Sequence, residues 1–467
     1  MSNFTTAKTL RSYKNDISLK GEISVAPDKS ISHRSLIFAA LAHGKSKITN
    51  LLEGEDVLKT AAALRLMGVE INKNSDGTWE VNGSGVAGLI EPNDVIDMGN
   101  SGTAARLLAG LVTPYNFTSF FTGDASLRKR PMGRVFEPIK EFGAKIISRQ
   151  NNLMPFAIIG AKDALPIEYQ MKVASAQVKS CILLASLAVR GTTTIIEPEK
   201  CRDHSEIMMQ YLGLNIEVKN IEINNKIGTK ISYSGLQEFA AKDFTIPGDI
   251  SSAAFFIVAA LLVKNSKIKI KNVGINPLRS GILTTLLEMG GKIELVNERL
   301  VGGEKVADLI VESSDLKAVE VPADRAASMI DEYPILAIAA AHAKGITKMN
   351  GLAELKVKES NRLLMIAENL EKCGAEIVMG DDFLEVKGGI NQNKNLVKIS
   401  TAMDHRIAMS FLVMGLTMEN GVEIDDSSMI ATSFPNFEKI FEDFGNKLIP
   451  FSLNNTTFSR NIFEDKI

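Results

Sequence analysis

Cysteine, tryptophan and net charge are all scarce in this sequence of 467 residues. It contains 3 Cys, 1 Trp and 6 Tyr, and its formal charge at pH 7 is −2. An odd, small number of cysteines without Cys/His spacing argues against a disulfide framework and a zinc site, and favours a cytoplasmic location. The low charge and the few aromatic residues speak against nucleic-acid binding. No apolar run reaches the length of a membrane span.

One pattern recurs six times, roughly every 70 to 80 residues. Each copy opens with small polar or acidic residues typical of helix caps, continues with an Ala/Leu/Ile-rich helix and ends, after a turn, in a β-branched strand. With the helices and strands between them, each copy is predicted to be a βαβαββ module. The copies begin near Ser30, Asn100, Ser175, Asp249, Asp331 and Asp404.

The modules divide into two groups of three. Pro247 and Gly248 interrupt the pattern between modules three and four, and the length of the chain favours two domains. We therefore predict an α/β protein with two equal halves around a cleft, since ligand sites favour domain interfaces. The N-terminal strand, around Ile17 to Val25, could belong to either half.

Cations and small polar residues stand at most of the predicted helix starts. A helix N-terminus carries unpaired N–H groups and about half a positive charge, so several such ends facing a cleft would attract anions. Because random surface charge would not follow the repeat, the pattern predicts a substrate with several anionic groups. The residues concerned are Lys29, Ser30, Arg34, Gly102, Arg106, Arg130, Ser175, Gln177, Arg202, Lys358, Arg362 and Arg406.

Taken singly, the motifs remain ambiguous. The three cations at 128–130 could be a solvated surface run or an anion-clamping loop. Asp331 could be only a helix N-cap or, in a cleft full of cations, an ionised base for a substrate hydroxyl. Lys358 and Arg362 are four residues apart and are predicted to share a helical face, and Glu359 could simply pair with Arg362.

Nine motifs, in this order, closely resemble those of the EPSP synthases (3-phosphoshikimate 1-carboxyvinyltransferases), in particular the class II bacterial form. They are DKSISHR, GNSGTAAR, GDASLRKRP, SAQVKS, RDHSE, DEYP, LKVKESNR, DHRIAM and ATSFP. The resemblance extends over essentially the whole chain. It implies an α/β (α+β) fold, a two-domain inside-out α/β barrel with three βαβαββ repeats per domain around an inter-domain cleft. Domain I would hold residues 1–20 and 247–467, and domain II residues 21–246.

The resemblance also implies a reaction. The enolpyruvyl group of phosphoenolpyruvate would pass to the 5-hydroxyl of shikimate 3-phosphate, giving EPSP and phosphate, in chorismate and aromatic amino-acid biosynthesis. Asp331 would take the hydroxyl proton, Glu359 would carry a proton to or from the methylene carbon, and Lys29 would contact both substrates. Shikimate 3-phosphate would be bound by Lys29, Ser30, Arg34, Ser175, Ala176, Gln177, Arg202, Asp331 and Lys358. Phosphoenolpyruvate would be bound by Lys29, Gly102, Arg130, Arg362 and Arg406.

The same resemblance implies no metal and no organic cofactor, and a monomer is expected. Gly102 is small enough to leave room for the inhibitor glyphosate. The sequence departs from the class I form at Thr432 and Ser433, where that form has a Lys. Another cation would therefore have to supply the charge of that Lys.

Two rival interpretations are open to test. UDP-N-acetylglucosamine enolpyruvyl transferases share the fold and the donor, but usually carry a Cys, sometimes Asp, in the loop that here reads GDASLRKRP. None of the three cysteines lies in that loop, although Asp124 does. The rival from another class is a non-enzymatic phosphoryl-ligand-binding repeat protein, against which the acid/base candidates Asp331 and Glu359 stand.

Overall fold

The computed structural model describes residues 8–15, 17–391, 395–444 and 448–450, so both outer ends of the expected domain I lie outside the described residues. The helices follow the predicted modules. They are α1 (Lys29–Leu41), α2 (Glu55–Leu66), α3 (Gly102–Val112), α4 (Gly133–Glu141), α5 (Ala176–Ser186), α6 (His204–Tyr211), α7 (Ile250–Leu262), α8 (Gly281–Glu288), α9 (Ala326–Met329), α10 (Tyr333–His342), α11 (Arg362–Lys372), α12 (His405–Gly415) and α13 (Phe437–Asp443).

The strands of the described residues form six sheets of four strands each. Three sheets make up what we call the N-terminal half, and three make up the C-terminal half. The strands of the N-terminal half are β3 (His43–Thr49), β4 (Glu70–Lys73), β5 (Trp79–Ser84), β6 (Ile96–Asp97), β7 (Thr118–Thr122), β8 (Lys145–Arg149), β9 (Leu153–Ile159), β10 (Glu168–Gln170), β11 (Thr192–Glu197), β12 (Ile216–Ile223), β13 (Lys226–Ser234) and β14 (Phe244–Thr245). Those of the C-terminal half are β1 (Leu10–Ser12), β2 (Lys20–Ser24), β15 (Lys267–Gly274), β16 (Lys292–Val301), β17 (Glu304–Glu312), β18 (Glu320–Val321), β19 (Ile346–Asn350), β20 (Glu376–Met379), β21 (Phe383–Lys387), β22 (Val397–Ile399), β23 (Val422–Ile424) and β24 (Ile449–Pro450).

All six sheets repeat one topology. Each has a parallel pair at one edge, followed by two antiparallel pairings, as in the order β14-β3-β5-β4. Two of the sheets take strands from the beginning of the chain: β2 lies parallel to β15, and β1 lies between β23 and β24. The sixfold repeat is therefore expressed in the strand order itself, and the N-terminal strand that could have joined either half pairs with the C-terminal one.

Two chain segments connect the halves, and they run side by side. The N–H of Asp28 donates to the carbonyl of Pro247 at 2.8 Å, and the N–H of Asp249 donates to the carbonyl of Ala26 at 2.8 Å. Residues 25–28 lead from β2 into α1, and residues 246–249 lead from β14 into α7. This pair of linkers forms the covalent hinge between the halves.

Side-chain caps define five of the six predicted helix starts. The capping oxygens accept a hydrogen bond from a backbone N–H in the first turn, which satisfies a donor that the helix leaves unpaired. These caps are Asp28, Ser101, Ser175, Asp249 and Asp404.

The alternative that Asp331 is only a helix cap is wrong. Helix α10 begins at Tyr333 with Glu332 in the cap position and Pro334 in its first turn. Proline is well suited to the first turn, where its missing N–H costs nothing, so the helix begins after Asp331. The Asp331 carboxylate is left in the preceding turn, where it can interact with side chains from other elements.

The long apolar run of the sequence is helix α7. Its residues from Ile250 to Leu261 are all buried, which explains why the helix is apolar on every side. In the part of the chain that the structure describes, no helix has both the length and the apolar character needed to cross a membrane.

Candidate functional site

The start of α1 supplies the first predicted site residues. Asp28 accepts a hydrogen bond from the N–H of Ile31 at 2.8 Å and so fixes the helix start at Lys29. The ammonium group of Lys29 pairs with the carboxylate of Asp56, at the start of α2. Burial, with the nearby cations Arg406 and Lys29, lowers the pKa of His405 at the start of α12 in the opposite half.

Arg34 is buried one turn further along α1, and its guanidinium contacts neutral groups. It donates to the Ser30 carbonyl at 2.9 Å, to Ser205 Oγ at 2.9 Å and to Ser180 Oγ at 2.6 Å. Burial lowers the pKa of Arg34 to about 10, so the side chain remains charged at neutral pH. Arg34 thus lies beside Ser30, and Ser180 and Ser205 bring α5 and α6 to the same place.

The start of α3 brings two guanidinium groups close to Gly102. A Cβ on Gly102 would lie 2.8 Å from Nη1 of Arg106 and 3.4 Å from Nη1 of Arg130. Arg106 donates to the Gly102 carbonyl at 3.1 Å and to Oε1 of Gln177 at 2.8 Å. Burial, followed by the nearby charge of Arg130, lowers the pKa of Arg106 to about 10. A Cβ at this position would require the guanidinium of Arg106 to shift.

The three cations at 128–130 do not all fit the same one of the two interpretations that the sequence left open. Arg128 and Lys129 are exposed, whereas the side chain of Arg130 is 12% exposed and points inward. Nη2 of Arg130 donates to Oδ1 of Asn100 at 2.7 Å, and Nη1 lies 3.7 Å from Oε1 of Glu359 in the opposite half. Arg130 therefore belongs to the cleft, and its two neighbours belong to the surface.

The start of α5 joins this cluster through Gln177. Ser175 caps the helix and Ala176 is its first residue. The amide of Gln177 accepts from Arg106 and donates to Oγ1 of Thr103 at 3.0 Å, so it connects α5 to α3. The three helix starts of the N-terminal half thus meet at one place, as the sequence predicted.

Arg202 and Asp331 meet across the cleft. Nη2 of Arg202, from the N-terminal half, donates to Oδ2 of Asp331 at 2.6 Å. On the same carboxylate, Oδ1 accepts from Nη1 of Arg362 at 3.1 Å and lies 4.0 Å from Nε of Arg406. Burial on its own would raise the pKa of Asp331, but Arg406, Arg202, Lys358 and Arg362 together hold it well below its usual value. Asp331 is an ionised carboxylate at the centre of the site.

Arg362 is the second centre of the site, and its side chain is 1% exposed. Nε donates to Oδ2 of Asp404 at 2.8 Å, and Nη2 donates to Oε2 of Glu359 at 2.5 Å. Burial would raise the pKa of Glu359, yet Arg362, Arg130 and His405 hold it well below its usual value. The predicted pairing of Glu359 with Arg362 is confirmed, and Arg362 connects it to Asp331.

The prediction that Lys358 and Arg362 share a helical face is wrong. Residues Ala353–Val357 form a 3₁₀ turn, Lys358 is extended, and α11 begins only at Arg362, where Asn361 caps it. The cap stops the helix from extending backwards, and Lys358 is placed by the loop instead. Burial, with nearby Arg362 and Arg202, lowers the pKa of Lys358. Within the described residues no hydrogen bond or ion pair involves its ammonium group.

The segment at Thr432 brings no cation of its own. It forms a 3₁₀ turn, Ser428–Thr432, in which the Thr432 hydroxyl donates to the Met429 carbonyl at 2.7 Å. The Thr432 carbonyl oxygen lies 2.6 Å from where a Cβ on Gly54 would stand. This contact explains a glycine at the start of α2.

Two ion pairs near the site were missed by the sequence reasoning. Arg279 donates to both carboxylate oxygens of Glu332 at 2.9 and 3.0 Å, so the acid next to Asp331 is neutralised inside the C-terminal half. Arg134 forms a bidentate pair with Glu354 at 3.0 Å and crosses between the halves. The partners are separated by 53 and 220 residues, so no local pattern could have indicated them.

The sequence and the fold of this chain are similar to those of known proteins. Residues 14–441 match the family model described as EPSP synthase (3-phosphoshikimate 1-carboxyvinyltransferase). Among curated proteins, the chain is 51% identical to the 3-phosphoshikimate 1-carboxyvinyltransferase of Paramagnetospirillum magneticum, over 92% of this chain and 96% of the relative. It is 50% identical to that of Acidiphilium cryptum, over 91% and 95%. Among solved structures, an EPSP synthase from Acinetobacter baumannii superposes with a TM-score of 0.83 at 39% identity, covering 95% of this chain and 100% of the other.

Proposed function

The chain belongs to the EPSP synthase family, and from that premise we propose which residues carry the reaction. Its fold is the two-domain inside-out α/β barrel. It transfers the enolpyruvyl group of phosphoenolpyruvate to the 5-hydroxyl of shikimate 3-phosphate, in aromatic amino-acid biosynthesis. The observation that best supports our assignment is the ionised Asp331 carboxylate, held among arginines from both sides of the cleft.

Shikimate 3-phosphate is proposed to bind mainly to the helix starts of the N-terminal half. Arg34 supports this assignment, since its buried guanidinium has only neutral hydrogen-bond partners and its charge remains available for a phosphate. Lys358 supports it from the other side of the cleft, because its ammonium group is free of partners within the described residues. The proposed set is Lys29, Ser30, Arg34, Ser175, Ala176, Gln177, Arg202, Asp331 and Lys358.

Phosphoenolpyruvate is proposed to bind beside shikimate 3-phosphate, between Arg130 of one half and Arg362 and Arg406 of the other. Planar guanidinium groups suit both its carboxylate and its phosphate, since they can donate two parallel hydrogen bonds. Lys29 and Gly102 complete the proposed set. The lack of a side chain at Gly102, which brings Arg106 and Arg130 close together, also supports binding of the inhibitor glyphosate in this pocket.

Asp331, Glu359 and Lys29 are proposed to be catalytic. The Asp331 carboxylate accepts the proton of the 5-hydroxyl while that oxygen bonds to C2 of phosphoenolpyruvate and the methylene carbon takes up a proton. Glu359 carries the proton at that carbon, and removes it again when phosphate leaves the tetrahedral intermediate. Their low pKa values keep both carboxylates ionised and able to accept a proton, so Glu359 must first take up a proton before it can deliver one to the methylene carbon. The cations around them hold both anions at contact distance and stabilise the developing charge.

We further propose a cytoplasmic monomer in which residues 1–20 with 247–467 form one domain and residues 21–246 the other. The pairing of β2 with β15 supports moving the first boundary to the end of β2, after Ser24. The three cysteines are free and buried, which supports a reducing compartment. The proposed site is completed by residues of a single chain, which supports a functional monomer.

Phosphate release from phosphoenolpyruvate tests the proposal. The purified protein is supplied with shikimate 3-phosphate or with UDP-N-acetylglucosamine, and an Asp331→Asn variant serves as the control for the site. We expect phosphate only with shikimate 3-phosphate, and far less from the variant. Release only with the UDP-sugar would mean that the acceptor is wrong, and an unaffected variant would mean that the base is wrong.

A further inference from the structure

Three consecutive residues of the N-terminal half each contact the opposite half. Nη2 of Arg202 donates to Oδ2 of Asp331 at 2.6 Å. Oδ1 of Asp203 accepts from Nδ2 of Asn276 at 2.7 Å, and Nδ1 of His204 lies 2.7 Å from Oε1 of Glu304. We call residues 201–204 the bridging segment.

The bridging segment is also fixed to its own half, at Cys201. The Cys201 N–H donates to Oε1 of Glu197 at 2.9 Å, and its carbonyl accepts from Nζ of Lys179 at 3.1 Å. Lys179 is 1% exposed and pairs with Glu197 at 3.0 Å and with Glu206 at 2.7 Å. The chain just before Arg202 therefore cannot move without disrupting a buried ionic cluster.

On the other side of Arg202, the contact between His204 and Glu304 is deeply buried. Their side chains are 3% and 4% exposed, and Nδ2 of Asn276 lies 3.4 Å from Oε2 of Glu304. Burial would lower the pKa of His204, but Glu304 outweighs it and the pKa is raised, while that of Glu304 is lowered. Asp28, in the hinge, and Arg34 are the further charges that act on His204. The contact between His204 and Glu304 is thus within electrostatic reach of Asp28 in the hinge.

We propose that the pair of His204 and Glu304, together with Asp203 and Asn276, positions Arg202 for its substrate. Cys201 fixes one end of the bridging segment to the N-terminal half, and Asp203 and His204 fix the other end to the C-terminal half. The guanidinium of Arg202 is held between them, facing Asp331. The inference rests on the proposed role of Arg202 in binding shikimate 3-phosphate, and assigns His204 and Glu304 as positioning residues that do not touch substrate.

The test is the effect of Glu304→Ala on the KM of each substrate in the full-length enzyme. Loss of one hydrogen bond to a charged group should raise the KM for shikimate 3-phosphate about tenfold. The KM for phosphoenolpyruvate and the kcat should change much less, since Arg130, Arg362 and Arg406 lie outside the bridging segment. Glu304→Gln keeps an oxygen acceptor for Nδ1 of His204, and should restore most of the affinity.

Glu288→Ala is the matched control. It also removes a carboxylate from an ion pair, here that of Glu288 with Arg325, but this pair lies inside the C-terminal half. Its two KM values should remain those of the wild type. An equal rise of both KM values in Glu304→Ala would indicate a general structural role and overturn the inference, and so would an unchanged KM for shikimate 3-phosphate.

Two further variants keep the test decisive. If Glu304→Ala does not fold, Asp203→Ala replaces it, because Asp203 is only half-buried and should raise the same KM about threefold. Arg202→Gln separates the inference from the proposed function. If Arg202→Gln raises the KM for shikimate 3-phosphate and neither Glu304→Ala nor Asp203→Ala does, only the inference fails. If Arg202→Gln leaves that KM unchanged, the proposed role of Arg202 fails, and the inference fails with it.

Discussion

Within their own half, the buried arginines on the two walls of the cleft have different partners. In the N-terminal half, Arg34 and Arg106 donate to hydroxyl, amide and carbonyl oxygens, and burial lowers their pKa. In the C-terminal half, Arg362 and Arg279 donate to buried carboxylates, which raise the pKa of both guanidinium groups. The first pair has no carboxylate among its hydrogen-bond partners, whereas the second pair donates directly to carboxylates.

The difference indicates a division of labour between the walls. A buried cation with neutral partners is costly to keep, and an anionic substrate relieves that cost. A cation paired with a carboxylate attracts anions less, but it holds the carboxylate ionised and in place. Arg34 and Arg106 are therefore suited to binding an anion, and Arg362 is suited to holding the ionised acids that move a proton.

Loss of the acid on the C-terminal wall should have the largest effect. Asp331→Asn should lower kcat by about 10²–10⁴-fold, the usual contribution of a positioned base, with little change in the KM of shikimate 3-phosphate. Steady-state phosphate release measures both quantities. A kcat equal to that of the wild type would remove the distinction between the walls.

Replacing an arginine with acidic partners should lower the free energy of unfolding more than replacing one with neutral partners. Arg362→Gln leaves Asp404, Asp331 and Glu359 without their shared partner, and should lower the free energy of unfolding by about 3–5 kcal/mol. Arg34→Gln leaves no acid unpaired, since Ser180 and Ser205 remain within 2.8 Å of each other, and should cost less than about 1 kcal/mol. Urea denaturation of both variants checks this. Equal losses would mean that the partners of the guanidinium do not matter.

The pH dependence of stability should also differ between variants of the two walls. The pKa values of Asp331 and Glu359 lie well below their ordinary values of 3.8 and 4.5. Groups with a depressed pKa stabilise the folded state fully above the ordinary value, and this contribution is lost as the pH falls through the folded value, at about 1.4 kcal/mol per unit of difference. Denaturation midpoints between pH 6 and pH 3 should therefore fall less steeply in Asp331→Asn than in the wild type. Arg34→Gln should retain the wild-type slope, and a shallower slope there would contradict the assignment.

The smallest effect is expected at Cys201, whose side chain contacts none of the arginines compared above. Its thiol donates to Oε1 of Glu197 at 2.8 Å, and burial raises its pKa, so it is an unreactive donor. Cys201→Ser keeps a donor of similar shape, and activity should remain within about twofold of the wild type. Initial rates at saturating substrate are the measurement. A large loss of rate would revive a cysteine-based mechanism.

The features that the sequence predicted well are local ones. A cap such as Asp28 or Ser175 acts within one helical turn, so its residue type and position suffice to indicate it. The order of the modules could be predicted for the same reason, since each turn and helix start carries its own signal. Asp331 and Lys358 were predicted to be site residues, but their backbone settings were wrong, because Pro334 and the Asn361 cap move the helix starts.

The features that the sequence could not indicate depend on distant parts of the chain. The pairing of Arg279 with Glu332 requires modules four and five to be packed together first. Whether an arginine has a neutral or an acidic partner likewise cannot be predicted until the fold shows which residues lie next to each other. A charged residue in a motif predicts that a site exists, whereas its partner determines what the residue does there.

The insertion of the whole N-terminal half between β2 and β15 has a consequence for synthesis on the ribosome. Strand β2 emerges early, but its partner at Lys267–Lys271 is made only after all three sheets of the N-terminal half. Domains generally fold in the order in which they are made, so β2 must wait as an unpaired segment of the nascent chain. Its sequence, KGEIS, places Lys20 and Glu22 on a strand that is largely exposed even when paired. Charged residues of this kind protect a free strand edge from aggregation during that interval.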